Sequence, residues 1–293
     1  MKRKRVLGID ENGLGPLMGP LVITGILLRQ GEKEVWFDDI SDSKEFFSRN
    51  TNNFSRLEET ATALFYLCNK KEPSSPLEIL NCLCRDYECL SGLDICTSNI
   101  PQEFIWSDGE SRKKRCAIFS EWMVKKDIEI ENIYSIAICP NRINEFTGKG
   151  NHKFLLDLSA FCEIVKSTPE KNGLSVCAGK VGGIKFYRKY LGYYIPDYQC
   201  AVIEEKEDVS LYRLEGDNEQ FTLGFFTDVE TKFFSAALSS LAGKYIRELF
   251  MAGIRKTLGI SEDISGYHDR KTISYIRQNA FTQFPDACLF RRT

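Results

Sequence analysis

Three acidic residues end or follow apolar runs in this chain: Asp10 and Glu11 after Val6-Leu7-Gly8-Ile9, and Asp228 after the run from Phe221 to Thr227. In an α/β sheet, the carboxyl ends of strands are where ligands usually bind. Converging there, such carboxylates offer the hard oxygen donors that suit Mg2+ or Mn2+. Phosphodiester hydrolysis with two such ions needs several acidic ligands and no histidine. A chain with only two histidines is compatible with that chemistry. The competing reading makes Asp10 a turn residue and Asp228 a cap on the helix that follows it. Glu11 carries a condition of its own. Neighbouring side chains on a strand point to opposite faces, so Glu11 joins Asp10 only if the strand ends or bulges there.

Glycines follow the first two acids. In Gly13-Leu14-Gly15-Pro16 the missing side chains would let a nucleic-acid backbone come close, or simply allow a tight turn. Lys180 and Lys244, each near the end of an element, could bind phosphate by charge or stand as ordinary exposed lysines.

The elements that must position these groups read as follows. Residues 5–10 and 21–28 are short buried strands joined by a Gly/Pro-rich turn, which predicts an antiparallel hairpin. Residues 133–139, 174–178, 200–204, 211–214 and 221–227 are further strands. Helical spacing of apolar residues predicts helices over 55–70, 152–168, 233–257 and 268–278, with a turn and helix over 182–194. Strands alternating with helices after a hairpin give an α/β class. At 293 residues the chain is near the upper limit for one hydrophobic core. The expectation is a core built from 1–44 and 131–293, with 45–130 as a helical insertion or mobile subdomain.

Composition narrows the partners. The net charge of −2 gives no global pull toward nucleic acid, so any such contact must use local patches. Candidates are Lys2 to Arg5, Arg112 to Arg115, Lys185 with Arg188 and Lys189, and Arg291-Arg292; the alternative for each is solvated surface charge. The odd count of eleven scattered cysteines points to reduced thiols in a cytoplasmic protein, and the spacing of Cys82, Cys84, Cys89 and Cys96 is not that of a zinc site. No apolar run reaches the roughly 18 residues that span a bilayer, and the basic start MKRKR precedes an apolar stretch too short for a secretion signal.

The stretch from Gly8 to Val22, Gly-Ile-Asp-Glu-Asn-Gly-Leu-Gly-Pro-Leu-Met-Gly-Pro-Leu-Val, resembles the opening of type 2 ribonuclease H, whose pattern is G-[IV]-D-E-[AV]-G-R-G-P-x-x-G-P. Asp42-Ser43-Lys44 is similar to that family's D-S-K element. Thr227-Asp228, followed by the small-residue run Ala236 to Gly243 with Lys244 and Arg247, is similar to its later aspartate and helix. Gly266-Tyr267 matches its G-Y element. The resemblance covers the two ends of the core and nothing in 45–130. It implies a ribonuclease H-like fold, a mixed sheet flanked by helices. It implies cleavage, with Mg2+ or Mn2+, of the RNA strand in an RNA–DNA hybrid or at a ribonucleotide in duplex DNA. It gives Asp10, Glu11 and Asp228 the roles of catalytic metal ligands, sets Gly13, Leu14 and Gly15 against the ribose 2′-hydroxyl, and places Ser43 and Lys44 on the nucleic-acid backbone. A monomer is expected.

Two departures from the pattern stand out. Leu14 replaces the arginine of G-R-G. The strand 174–178, where the family carries a third aspartate in a D-G context, ends in Ala178-Gly179-Lys180 without a carboxylate. Asp108-Gly109 reads D-G but lies before the helix that should precede that strand. Glu204 or Glu205 on the next strand, or Asp269 after Gly266-Tyr267, are the candidates to substitute, Asp269 being carried as catalytic. Two functions therefore stand side by side: a metal-dependent endonuclease, and a catalytically impaired module of the same fold that binds nucleic acid. A small-molecule phosphohydrolase or a purely structural role completes the range.

Overall fold

The computed structural model describes residues 3–37, 40, 51–87, 97–182, 184–261, 264–279 and 289–291. Ser43 and Lys44, with the rest of the Asp42-Ser43-Lys44 element, lie outside the described residues.

The chain opens with the expected hairpin, strands β1 (Lys4–Asn12) and β2 (Leu21–Gln30). A helical stretch follows: α1 (Thr51–Asn69), α2 (Pro76–Leu83), the short strand β3 (Cys84–Asp86) and α3 (Gly109–Lys125). Asp108 caps α3, its carboxylate accepting from the Ser111 amide at 2.8 Å, which accounts for the D-G dipeptide there. Next come β4 (Glu129–Ile138), α4 (Pro140–Gly148), α5 (Lys153–Ser167), β5 (Ser175–Gly179) and α6 (Arg188–Tyr194). A meander, β6 (Gln199–Glu205), β7 (Val209–Glu215) and β8 (Gln220–Phe226), leads through a 3-10 turn (Val229–Thr231) into the long helix α7 (Phe234–Thr257) and then α8 (Arg270–Asn279).

The strands form one sheet in the order β3-β4-β2-β1-β5-β8-β7-β6. Its centre is mixed. β1 runs antiparallel to β2 and parallel to β5, and β5 runs parallel to β8. This is a mixed sheet, as the resemblance implied. Three parallel strands thus bring their carboxyl ends to one edge, which is the usual place for a ligand in such a sheet.

Alternation along β1 sorts its side chains between two layers. Leu7 and Ile9 enter a core with Phe161, Ile164 and Val165 of α5 and Tyr187, Tyr212 and Phe225. Val6 faces the other way, toward Val229 and Ala236 at the start of α7. The helices of the 45–130 stretch belong to this second side: Leu57, Leu64, Leu80 and Phe119 share a core with Leu238, Leu241, Tyr245 and Leu249 of α7. β3 of the same stretch extends the sheet beside β4.

Helix α7 lies unusually close to β1 because its contact face carries small residues. A Cβ on Gly8 would fall 2.2 Å from the Ala236 amide nitrogen. One on Gly243 would fall 2.6 Å from the side-chain Nδ2 of Asn12. Ser239 donates to the Gly8 carbonyl at 2.9 Å, and Asn12 donates to the Ser240 carbonyl at 3.2 Å. The small-residue run read in the sequence therefore sets the distance between the helix and the strand bearing Asp10.

Candidate active site

The strand β1 neither ends nor bulges at Glu11; its register against β2 is regular from Lys4 to Asn12. The two acids accordingly take opposite faces. Asp10 turns toward α7, where Ser240 hydrogen-bonds its carboxylate. Glu11 turns toward the α5 layer, where the strongest neighbouring charge is Asp157. The site straddles the end of the sheet, with one acid on each side.

Asp10 is enclosed by protein while keeping a small opening to solvent. Desolvation dominates its electrostatics, opposed by the Ser240 hydrogen bond and reinforced by the Glu230 charge, and its pKa rises from 3.8 to about 7. Glu11 is raised well above the usual carboxylate range by burial, then by Asp157, Asp10 and Glu230, with Arg291 pulling the other way. Asp157 is fully buried within α5 and is raised by burial and by the Asp10 charge. Both its oxygens, and Oε2 of Glu11, are buried without a hydrogen-bond partner. The charges of Asp10, Glu11, Asp157 and Glu230 thus bear on one another at the sheet end, and at Glu11 Arg291 opposes them.

The strand end that lacks an acid lies beside this group. A Cβ on Gly179 would stand 3.1 Å from Asp10 Oδ1 and 3.6 Å from Val229. From the segment after β8, the acid whose charge bears on Asp10 and Glu11 is Glu230, two residues beyond Asp228. Asp228 itself is exposed, with a left-handed backbone (φ 50°), and its carbonyl closes the 3-10 turn by accepting from Thr231. Asp269 sits at the start of α8. Although burial raises its pKa, hydrogen bonds from Ser265 and Thr272 outweigh that and hold the carboxyl low. Those bonds occupy both oxygens within its own turn, at 2.9 Å from the Thr272 amide to Oδ1 and 2.8 Å from the Thr272 hydroxyl to Oδ2, besides the bond from Ser265. The substitutes Glu204 and Glu205 are out of reach. They lie on β6, four strands from β1, or about 19 Å at the usual strand spacing. Glu205 instead accepts from the Tyr212 hydroxyl, and Glu204 pairs with Lys206.

The glycine-rich loop after β1 is held from below. Arg291 threads beneath it and donates to the carbonyls of Gly13, Leu14 and Gly19. Gly266 accepts from the amides of Leu17 and Met18 at 2.7 and 3.0 Å. Arg247 of α7 donates to the Met18 and Ser265 carbonyls at 3.3 and 3.2 Å and stacks over Tyr267. Gly13 needs its glycine twice over: φ is +95°, and a Cβ would meet Arg247 at 2.6 Å. Gly15 is exposed, with nothing within 4 Å of where a Cβ would be. Leu14 is half-buried against Gly182.

The lysines divide. Lys180 donates to the carbonyls of Lys206 and Glu207 at 3.0 and 2.6 Å, so one of its three N–H bonds is left for another acceptor. Lys244 is half-buried, one turn past Ser240 on α7. Of the basic runs, Arg3 and Arg5 pair with acids at the start of β4 and just before it, and Arg115 is buried against Phe37 and Thr60. Lys185, Arg188 and Lys189 are exposed, with Phe186 and Tyr193 exposed among them. Cys82 and Cys84 are free thiols. Among the described residues no group of three or more His, Cys, Asp or Glu side chains is arranged to hold a metal ion. None of the described helices is long and apolar enough to cross a membrane.

Two of the residues gathered here, Asp157 and Glu230, were not found by reading the sequence. Asp157 had a signal. It lies four residues before Phe161 and seven before Ile164, on the apolar stripe of its helix, where an acid is out of place. Glu230 lay hidden because Asp228 already filled the expected place.

No family model matches the chain. It is 29% identical over 135 residues to the ribonuclease HII of Francisella philomiragia, a match covering 45% of this chain and 68% of that one. It is 42% identical over 45 residues to the ribonuclease HII of Fusobacterium nucleatum, covering 15% of this chain and only 20% of that relative. Both matches support a place for the chain in the type 2 ribonuclease H family, at low identity. Among solved structures of the family, it aligns with a chain of the PCNA:RNase HII complex from Archaeoglobus fulgidus at a TM-score of 0.49 and 15% identity, over 98% of this chain and 94% of that one.

Proposed function

We propose that this chain is a divalent-metal-dependent endonuclease acting on the RNA strand of RNA–DNA hybrids or at single ribonucleotides in duplex DNA. The observation that carries the reading is the carboxylates at the sheet end, Asp10 and Glu11 with the charge of Glu230 on both, next to a glycine-rich loop that matches the family's apart from Leu14. Buried acids whose oxygens lack partners are costly unless they share protons or hold a cation. The donor set is all oxygen, which suits Mg2+ or Mn2+. Asp10 and Glu11 would hold the metal, with Asp228 at the open rim. When bound, it supplies Lewis acidity toward the scissile phosphate and makes an attacking water more acidic.

The chain's own residues do the rest. Ser240 and the close packing of α7 fix the Asp10 rotamer. The loop Gly13-Leu14-Gly15, propped by Arg291, presents backbone to a sugar edge, where a 2′-hydroxyl distinguishes RNA from DNA. Leu14 adds only apolar contact. The exposed cluster Lys185, Arg188 and Lys189, on the segment that leaves β5 beside Asp10, can follow a phosphate backbone, and Phe186 and Tyr193 can stack on it. The alternative of a binding module without turnover rested on the bare strand end at Gly179; the additional carboxylates weigh against it.

The test is cleavage of a labelled hybrid and of a duplex with one embedded ribonucleotide, in Mg2+ and in Mn2+. Wild type is expected to cut at least one of them, and Asp10→Asn to lose at least about two orders of magnitude, a typical size for removing a group that stabilises charge in the transition state. Cleavage that survives in Asp10→Asn at wild-type rate, or none with any of these substrates, refutes the reading.

A further inference from the structure

The segment 289–291 is placed beneath the glycine-rich loop by contacts of its own. Met18 and Phe290 form a β-bridge, Asn144 of α4 donates to the Phe290 carbonyl at 2.7 Å, and the Arg291 amide donates to the Leu17 carbonyl at 2.9 Å. The Arg291 side chain is buried and, among the described residues, donates to loop carbonyls alone. Nη1 donates to Gly13 and Leu14, while Nε and Nη2 close on Gly19 at 3.0 and 2.7 Å. A buried cation normally meets a carboxylate. Here three carbonyls of one turn take that place.

Those bonds decide which way the amides of the loop face. In a trans peptide the carbonyl of one residue and the N–H of the next point in opposite directions. With the Gly13 and Leu14 carbonyls both turned inward to Arg291, the N–H groups of Leu14 and Gly15 turn outward. Among the described residues neither amide donates to a protein acceptor. Gly15 is exposed, and a Cβ there would have nothing within 4 Å, so the outer side of the pair is open. Successive amides aimed into one open space form a nest that takes an oxygen acceptor.

We propose that Arg291 is a specificity-determining positioning residue: by turning the Gly13 and Leu14 carbonyls inward, it presents the Leu14 and Gly15 amides as a paired donor for a ribose 2′-oxygen. The proposal rests on the ribonucleotide substrate proposed above. A deoxyribose brings no oxygen to the pair and leaves both amides without a partner where water is excluded. Recognition of this kind uses no side chain at position 14. The arginine that the family pattern carries there is answered from below, by one 277 residues further along the chain. A lysine at 291 would keep the charge but not the planar fork that reaches carbonyls at both ends of the turn.

The experiment is binding, in EDTA and at one fixed salt concentration, of two labelled duplexes that differ in a single ribonucleotide, followed by fluorescence anisotropy. Wild type, Arg291→Lys and Arg291→Gln are compared by the ratio of their two dissociation constants. Loss of folded protein changes both constants alike, so stability alone does not move the ratio. Wild type is expected to favour the ribonucleotide duplex by about tenfold or more, the size of one hydrogen bond left unmade. Arg291→Lys should bring the ratio to within about twofold of unity, because charge without the fork does not orient the carbonyls. Arg291→Gln serves the same purpose should the lysine variant not fold. In wild type, the Leu14 and Gly15 amides should exchange with solvent more slowly on the ribonucleotide duplex than on the all-DNA one. A folded Arg291 variant that keeps the wild-type ratio, or equal amide protection on the two duplexes, overturns the proposal and leaves the nuclease reading standing. Wild type that binds both duplexes alike also overturns it, and the cleavage assay above then decides the nuclease reading by itself.

Discussion

A carboxyl enclosed among other carboxyls should make the metal-free protein more stable in mild acid than at neutral pH, and Asp10 sets the scale. Its folded pKa is raised, from 3.8 to about 7, chiefly by burial and then by Glu230. Between those two values the folded chain keeps a proton that the unfolded chain has lost. The native state binds more protons, so the free energy of unfolding falls as pH rises through this window. The stabilisation is complete below pH 4 and gone above pH 7. At 1.36 kcal/mol per unit the whole span is worth about 4 kcal/mol, and sampling from pH 5 to 8 captures roughly 2–3 kcal/mol, less whatever the opening to solvent screens. Glu11 and Asp157 are raised in the same sense and add to the trend in both proteins. The assay is urea unfolding in EDTA at pH 5, 6, 7 and 8 for wild type and Asp10→Asn. Wild type should lose roughly 2–3 kcal/mol relative to the variant across that range. Saturating Mn2+ should reverse the wild-type slope, since its ligands must shed their protons to bind it. Profiles that run parallel within about 0.5 kcal/mol, smaller than half a pKa unit's worth, would refute the reading of Asp10 as a buried acid among like charges.

Two further predictions concern the frame. Gly8→Ala should destabilise the fold by about 3 kcal/mol or more by chemical denaturation, because the added methyl meets the backbone of Ser235 and Ala236 rather than a side chain that can rotate away. Arg291→Ala should cost about 2–5 kcal/mol, from stranding the carbonyls of Gly13 and Gly19, and should speed amide hydrogen exchange selectively over residues 13–19.

Much of the frame could be read from the sequence, and the physical reason is periodicity. The hairpin, the strands at 133, 174, 200, 211 and 221, and the helix from 233 all have apolar spacing that only one element type satisfies. The stretch between 71 and 130 was less legible. Its short helix α2, the three-residue strand β3 and α3, where Arg112 and Arg115 turn inward, lack a clean stripe. In the candidate site, Asp10 and Glu11 are announced by a motif. Asp157 and Glu230 could not be placed, because their neighbours come from residues about 150 and 220 positions away and nothing local records that encounter. The condition attached to Glu11 also failed in an instructive way. The strand neither ended nor bulged, yet Glu11 still faces other acids, because a charge at the very end of a sheet can be met from either layer.

That geometry bears on how the site tolerates its missing aspartate. If both acids of β1 shared one face, every partner would have to come from that face, and Gly179 would leave a gap that only another strand-end acid could close. With Asp10 and Glu11 on opposite faces, the site draws on two helical layers. Asp10 already crowds the place beside Gly179: an aspartate there would bring its Cβ to 3.1 Å of Asp10 Oδ1, tighter than nine in ten real Cβ contacts, so the Asp10 carboxylate would have to give by a few tenths of an ångström. A glycine at the strand end lets Asp10 settle close to β5. Placing a carboxylate there by Gly179→Asp should therefore shift Asp10 rather than simply add an acid beside it, read as a changed pH dependence of unfolding relative to wild type.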